Sequence, residues 1–370
     1  MPPAKARPAR AAKAPAAKDD RLDLAVYGAT GFTGRLAAEA AERAGLDFIL
    51  GGRDESRLRG VAAELGGEHP YQVARHDDPT ELRALASRAR VLASTAGPFA
   101  EVGELAVAAA VDAGTHYLDS TGEVDFMAQT FRRHHEQAKR KGIVVINACA
   151  HEYVFGDCAV SLALEAFPGT REMRVSYWIP NKAITRGTAL TTLRMFSSPL
   201  FGAHQARPAK VRFPQPPGDT WVVSYPGGEA ELLRRRRPDV SITTCMDVPH
   251  LVARSAPAMP ALGMLMRLPG VGSAAQRFIE SRPAGPPADV RARQEFVIFA
   301  EVDPGLGGGH GIAVRGTDPY GLTGELLARC ARLLLRGENQ AAGVLSPSEA
   351  FPPGPLLDSL ADLGVSWERV

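Results

Sequence analysis

From Leu22 to Asn147, short apolar runs alternate with longer stretches that carry charge on one side. Leu24–Tyr27, Phe48–Gly51, Tyr71–Ala74, Val91–Ser94, His116–Leu118 and Ile143–Asn147 read as strands. Between them, Glu55–Leu65, Pro79–Arg88, Gly103–Ala113 and Phe126–Lys141 read as helices. Apolar strands separated by such helices predict a parallel sheet covered on both faces. Right-handed crossovers make it a doubly wound Rossmann sheet of about six strands, with ligands beyond the strands' carboxyl ends.

Past Asn147 the texture changes. Trp178 and Trp221 appear, prolines multiply, and alternating strands show at Met173–Ile179 and Phe296–Val302. The fold class expected is α/β: an N-terminal doubly wound parallel sheet, a second α+β domain and a C-terminal helix returning to the first. The boundaries read as a disordered basic tail over 1–20, a dinucleotide-binding domain over 21–150 and an α+β substrate and dimerisation domain over 151–317. The remainder, 318–370, holds the amphipathic helix Tyr320–Leu335 and a short cap that need an apolar surface to cover.

Composition changes this picture little. The chain has 370 residues, 45% hydrophobic and 23% charged, as an ordinary globular protein does. A net charge of +2 gives no support to a nucleic-acid partner. The cysteines Cys149, Cys158, Cys245 and Cys330 show no CxxC spacing, which points to a reduced cytoplasmic setting without zinc, other metals or disulfides. The basic tail lacks the apolar core of a secretory signal. The stretch 256–268 is shorter than the roughly 20 residues of a membrane span, and Pro257 and Pro260 break it. It reads as a buried or dimer-facing helix, or as a greasy lip for a lipid-like substrate or membrane surface. A homodimer is expected.

The chemistry concentrates where strands end. Leu24–Tyr27 runs into Gly28-Ala29-Thr30-Gly31-Phe32-Thr33-Gly34 and then a helix-forming stretch. Glycines so placed allow a positive-φ turn and bring the backbone close to a pyrophosphate held by the helix N-terminus. The second strand ends Gly51-Gly52-Arg53-Asp54. A cation there suits the 2′-phosphate of NADP, whereas Asp54 keeps NAD open unless it caps the next helix. Asp77, after the third strand, is a candidate hydrogen-bond partner for the adenine, and Asp78 for a helix cap. The fourth strand ends Thr95-Ala96-Gly97-Pro98, expected at the nicotinamide ribose. Tyr117 and Asp119 from the fifth strand, and His151 and Tyr153 after the sixth, are the candidates for proton donation and substrate orientation.

Gly28–Gly34, Gly51–Arg53, Thr95-Ala96-Gly97-Pro98-Phe99 and Tyr117-Leu118-Asp119-Ser120-Thr121-Gly122-Glu123 together resemble the saccharopine dehydrogenase-like oxidoreductases. The branch they look most like includes trans-acting enoyl reductases of lipid biosynthesis. Arg186-Gly187-Thr188-Ala189, Gly285-Pro286 leading to Arg291, Asp318–Thr323 and Gly343–Pro347 extend the likeness more loosely. The resemblance implies NADP(H) and hydride transfer to a C=N or C=C bond. Ala150–Asp157 stands where that branch carries a Gly-Phe-Asp-Ser-Pro-like segment, so the acceptor does not carry over.

Rivals are separable. None of the seven tyrosines has a lysine four residues on, which removes the short-chain dehydrogenases. A semialdehyde dehydrogenase would use Cys149 as a thioester-forming nucleophile. A non-catalytic scaffold would use 256–268 for lipid or protein, and Arg234-Arg235-Arg236-Arg237 for an anionic surface unless that run is a solvated face.

Overall fold

The computed structural model describes residues 20–67, 69–180, 182–197, 204, 206–256, 270–305 and 309–370. Its first domain alternates β1 (Leu22–Tyr27), α1 (Phe32–Arg43), β2 (Phe48–Gly52), α2 (Glu55–Glu64), β3 (Tyr71–Val73), α3 (Pro79–Ser87), β4 (Ala89–Ser94), α4 (Phe99–Ala113), β5 (His116–Asp119), α5 (Val124–Lys141) and β6 (Val144–Ile146). Helix α6 (His151–Ala166) then leads into a second sheet of β7 (Glu172–Trp178), β8 (Pro208–Arg212), β9 (Asp219–Tyr225), β10 (Ser241–Asp247), β11 (Glu295–Val302) and β12 (Gly311–Thr317). The chain closes with β13 (Gly343–Leu345) and β14 (Ser366–Arg369).

The first sheet is parallel throughout, in the order β13-β6-β5-β4-β1-β2-β3. The order reverses at β1 and β4, which fixes the ligand crevice above those two strands. The sequence predicts six strands; the seventh, β13, comes from the far end of the chain. The second sheet is mixed, in the order β14-β12-β11-β7-β10-β9-β8, with only β7 and β10 parallel. The alternating pattern reveals only β7 and β11 of these. Of the others, β8 and β14 are short, and Lys210, Arg212, Thr220 and Thr243 stand among the apolar positions of β8, β9 and β10, so their signal is faint.

The helix Pro319–Leu335 lies across α1. It buries Leu322, Leu326, Leu327 and Leu334 against the alanine-rich face of α1, Ala37, Ala38 and Ala41. The approach is close enough that a Cβ on Gly324 would stand 2.7 Å from the Leu36 main chain. Arg43 and Glu325 pair at 2.8 Å along the same seam. The final strand differs from the sequence expectation for 318–370: β14 joins the second sheet beside β12, so this segment serves both domains. Between the sheets, α6 is buried almost all round, with Phe155 stacked on Phe296 of β11 at 5.5 Å.

The arginine run is divided. Arg234, exposed, pairs with Glu231 and Arg237 meets Asp239 at 2.9 Å, both local contacts. Arg235 lies 3.9 Å over the Phe131 ring beside Glu349, and Arg236 meets the buried Asp157 at 2.7 Å, so these two tie the second domain to α5 and α6. Residues 257–269, most of the expected lipid-facing stretch, lie outside the described residues. Among the described residues no helix is long and apolar enough to cross a membrane.

Candidate active site

The three glycines of the first turn do different work. Gly28 takes φ +84°, and a Cβ there would stand 2.8 Å from the Ala96 nitrogen. Gly34 faces back into the turn, where a Cβ would lie 2.2 Å from the Gly28 carbonyl oxygen. Gly31 has an ordinary extended backbone, φ −81°, ψ 168°, and is exposed; its Cβ would meet only the Gly28 oxygen, at 3.2 Å. What its missing side chain leaves open is the surface over the first turn of α1. That turn has no side-chain cap and no acidic residue, so its amides and dipole are free for an anion. Neighbouring loops brace the turn: Gly28 and Ala29 donate to the Gly51 carbonyl at 2.9 and 3.1 Å, and the Thr95 hydroxyl donates to the Tyr27 carbonyl at 3.1 Å. The Thr30 carbonyl accepts from Arg57 at 3.2 Å.

Beyond β2 and β3 an open cleft of about 380 Å³ is lined by Arg53, Asp54, Arg75, His76 and Asp77. Arg53 is exposed and pairs with no described residue. Asp54 accepts from the Arg57 amide and the Ser56 hydroxyl through Oδ1 and so caps α2. Asp78 caps α3 in the same way. Arg75 is held by Glu81 at 2.6 Å, leaving Arg53 as the cation free to meet a phosphate. Asp77 stays exposed in the cleft.

On the other side of β1, three loops meet. Asp119, wholly buried, accepts from Asn147 Nδ2 at 2.7 Å, the Ala148 amide at 2.8 Å and the Thr121 amide at 3.0 Å. These bonds hold Ala148 at φ +58°, an uncommon conformation for a residue with a side chain. Burial pushes the Asp119 carboxyl up to about 6, against the pull of those donors. Asp119 thus fastens two loops together and does not reach the cleft. Asp119→Ala strands three buried donors and is expected to lower stability by roughly 3–5 kcal/mol. A urea midpoint close to wild type would show that the loops are held by other means.

Above the loops lies α7 (Arg186–Ser197). Arg194 pairs with Glu101 of α4 at 2.8 Å, and Thr191 sits against Gly122, whose Cβ would be 3.6 Å away. Tyr320 joins roof and floor: its hydroxyl meets the Thr185 amide and the Thr188 hydroxyl, each at 3.0 Å, and its ring packs edge-on against Phe32 of α1 at 5.7 Å. Arg291 sits over the same Phe32 and pairs with Asp318 at 2.8 Å. Helix α7 and Tyr320 therefore bring the second domain up to the amino end of α1 and the start of α4. Ala96, Gly97 and Pro98 lead into α4, whose first amides, of Phe99 and Ala100, are capped by the Glu123 carboxylate at 2.9 and 3.0 Å.

The four residues expected to carry the chemistry are not brought together there. Tyr117 is wholly buried in the cluster of Tyr27, Phe99 and Phe126, because a strand residue's side chain alternates into the core. His151 and Tyr153 are 8% and 5% exposed, since α6 already begins at His151 and turns both inward. Among the described residues His151 Nε2 finds no partner, its ring lies 5.8 Å from Phe296, and burial pushes the imidazole down to about 3. A neutral imidazole cannot donate as an acid near neutrality. Protonation therefore favours the unfolded chain: the stability tied to this group is complete above about pH 6.5 and is lost as the pH falls toward 3, by up to about 1.4 kcal/mol per unit. His116, pushed down to about 4, acts in the same sense. His151→Phe is expected to flatten part of the acid limb of urea midpoint against pH, and an unchanged limb would contradict this.

Cys149 is wholly buried, and its hydrogen-bonded neighbour Cys330 and burial raise its thiol well above the usual range. A wholly buried thiol held in its neutral form does not favour the thioester nucleophile. Glu152 is the member of the first α6 turn that keeps some exposure.

A doubly wound parallel sheet, an open amide turn at the head of α1 and a lone cation beyond β2 define a dinucleotide-binding domain of the kind that takes a 2′-phosphate. Residues 24–146 match the saccharopine dehydrogenase NADP binding domain, which gives NADP(H) as the cofactor of this part of the chain. Trans-acting enoyl reductases of Mycobacterium leprae and Mycobacterium bovis are 41% and 39% identical over 144 residues. The match covers 38% of this chain and 34% of each relative, so the aligned part spans about a third of their length. Among solved structures, apo saccharopine dehydrogenase (L-Glu forming) from Saccharomyces cerevisiae superposes with a TM-score of 0.59 at 13% identity, covering 94% of this chain and 99% of that one. The two-domain fold is thus of the saccharopine dehydrogenase type.

Proposed function

We propose that the chain is an NADP(H)-dependent oxidoreductase that reduces a C=C or C=N bond of a lipid-like small molecule. The observation that carries this is the exposed Gly31 over the uncapped first turn of α1, with Arg53 beyond β2 in the open cleft. When bound, the cofactor supplies a hydride. Gly31 and the α1 amides would receive its pyrophosphate, Arg53 its 2′-phosphate and Asp77 its adenine. The backbone at Thr95–Pro98 would bound the ribose next to the nicotinamide. Asp119, through its bonds to Ala148 and Thr121, would set the shape of the nicotinamide pocket. Helix α7, fastened by Arg194 and by Tyr320, would keep water from the reacting bond. The names of the mycobacterial relatives favour an enoyl acceptor. Four buried free cysteines fit a reducing compartment, and so a cytoplasmic setting. A homodimer and a lipid contact through 256–268 belong to the same reading, with light scattering and vesicle flotation as their measurements.

The test is loss of NADPH absorbance on addition of 2-enoyl thioesters or cyclic imines. NADPH that binds but is never oxidised by any of them would replace this reading with that of a scaffold.

A further inference from the structure

Phe32 is the first residue of α1, directly after Gly31, so its amide belongs to the uncapped turn. Its half-buried ring meets three residues from the far part of the chain. A Cβ on Gly285 would stand 2.5, 2.6 and 2.7 Å from three carbons of that ring, closer than a real side chain can come. Gly285 has no positive φ, so its backbone does not need a glycine; the Phe32 ring does. Tyr320 packs edge-on at 5.7 Å, and the Arg291 guanidinium lies 5.7 Å from the ring centre. Two of these contacts lead to the root of α7. The Ala284 carbonyl, next to Gly285, accepts from the Arg186 amide at 3.0 Å. The Tyr320 hydroxyl meets the Thr185 amide and the Thr188 hydroxyl. From Arg186 to Arg194 no residue of α7 is buried, and the helix Val271–Glu280 packed against it buries none either. A helix with so little buried surface opens locally at small cost, and its order depends on its anchors. One anchor is the group around Phe32; another is the pair of Arg194 with Glu101 on α4.

We propose that Phe32 is the positioning residue through which an occupied pyrophosphate turn steadies α7. This rests on the reading above that the cofactor's pyrophosphate sits on the α1 amides. An anion held by the amides of the first turn fixes the backbone that carries the Phe32 ring. The fixed ring gives Gly285 and Tyr320 a firm surface, and through Ala284, Thr185 and Thr188 the first turn of α7 is held in place. A methyl group at position 285 would wedge this contact apart without touching the turn itself. Such a coupling is reciprocal: the factor by which the ligand suppresses opening of α7 is the factor by which an anchored α7 tightens the ligand. The part of the cofactor that carries the phosphates is sufficient for the effect, because the path starts at the α1 amides and not at the nicotinamide.

The test uses the full chain and 2′-phospho-ADP-ribose, which has the pyrophosphate and the 2′-phosphate but no nicotinamide that could touch α7. Calorimetry gives its affinity, and hydrogen exchange of peptides spanning 186–194, followed by mass spectrometry, reads α7. In the wild type, saturation with the probe should slow exchange of these amides roughly 3- to 10-fold. Phe32→Leu keeps the α1 amides, so it should bind the probe within roughly tenfold of the wild-type affinity, the loss matching the coupling factor. Its α7 exchange should no longer respond to the bound probe. Gly285→Ala, changed on the other side of the same contact, should lose the response as well. A wild-type α7 whose exchange ignores the bound probe overturns the proposal, and so does either variant in which the probe still slows exchange as in the wild type. A wild type that does not bind the probe at all overturns the pyrophosphate reading together with the proposal that stands on it.

Discussion

Gly31→Val is expected to fold and to lose NADPH. The residue needs no glycine for its backbone, and its surroundings are open apart from the Gly28 oxygen 3.2 Å from the Cβ position. The isopropyl group would instead fill the space over the α1 amides that a pyrophosphate must enter. Removing those contacts should weaken binding by more than about 100-fold, or roughly 3 kcal/mol. The control is Gly34→Ala, whose Cβ would lie 2.2 Å from the Gly28 carbonyl and must separate α1 from β1. Fluorescence titration with NADPH and a thermal melt on each variant divide the two roles. A Gly31→Val protein that binds NADPH as the wild type does would make the turn a packing device only.

Arg53→Ala is expected to weaken NADPH and leave NADH nearly untouched. Arg53 stands exposed in the cleft of about 380 Å³, while Arg75 beside it is already held by Glu81. Two charge-assisted bonds to a phosphate contribute on the order of 2–4 kcal/mol, or roughly 30- to 1000-fold in affinity. The difference should shrink as salt is raised, because the cleft is open to solvent. Equal wild-type affinity for NADPH and NADH would remove Arg53 from this role.

The first domain is legible in the sequence because its determinants are local. Gly28, Gly31 and Gly34 act within seven residues of one another, and Arg53 acts at the end of the strand it follows. Asp54 and Asp78 could be read as caps because capping is a contact over three residues. The chemistry at the nicotinamide side depends on which way a side chain points, and that was decided by where α6 begins. Read as a loop, residues 151–153 offer His151 and Tyr153 as equivalent candidates. In a helix neighbouring side chains diverge by about 100°, and only the middle one avoids the core. The contact of Tyr177 with Glu229 spans 52 residues, and that of Asp157 with the Ser348 amide spans 191. No short-range pattern encodes pairings of that kind. The pairing of Arg235 with Glu349 and of Arg236 with Asp157 was hidden for the same reason, since those partners lie far along the chain.

The helix Pro319–Leu335 and strand β13 have a consequence for synthesis. When the ribosome has made the first 150 residues, every strand from β1 to β6 exists, yet the alanine face of α1 has nothing upon it and β6 is an open edge. Both gaps are filled only after the whole second sheet save its last strand has emerged. Nascent chains of that length are expected to expose sticky surface and to wait, as edge strands and long-range pairings require. The cofactor domain is begun first and finished almost last, so a fragment cut at its apparent boundary would lack the parts that close it.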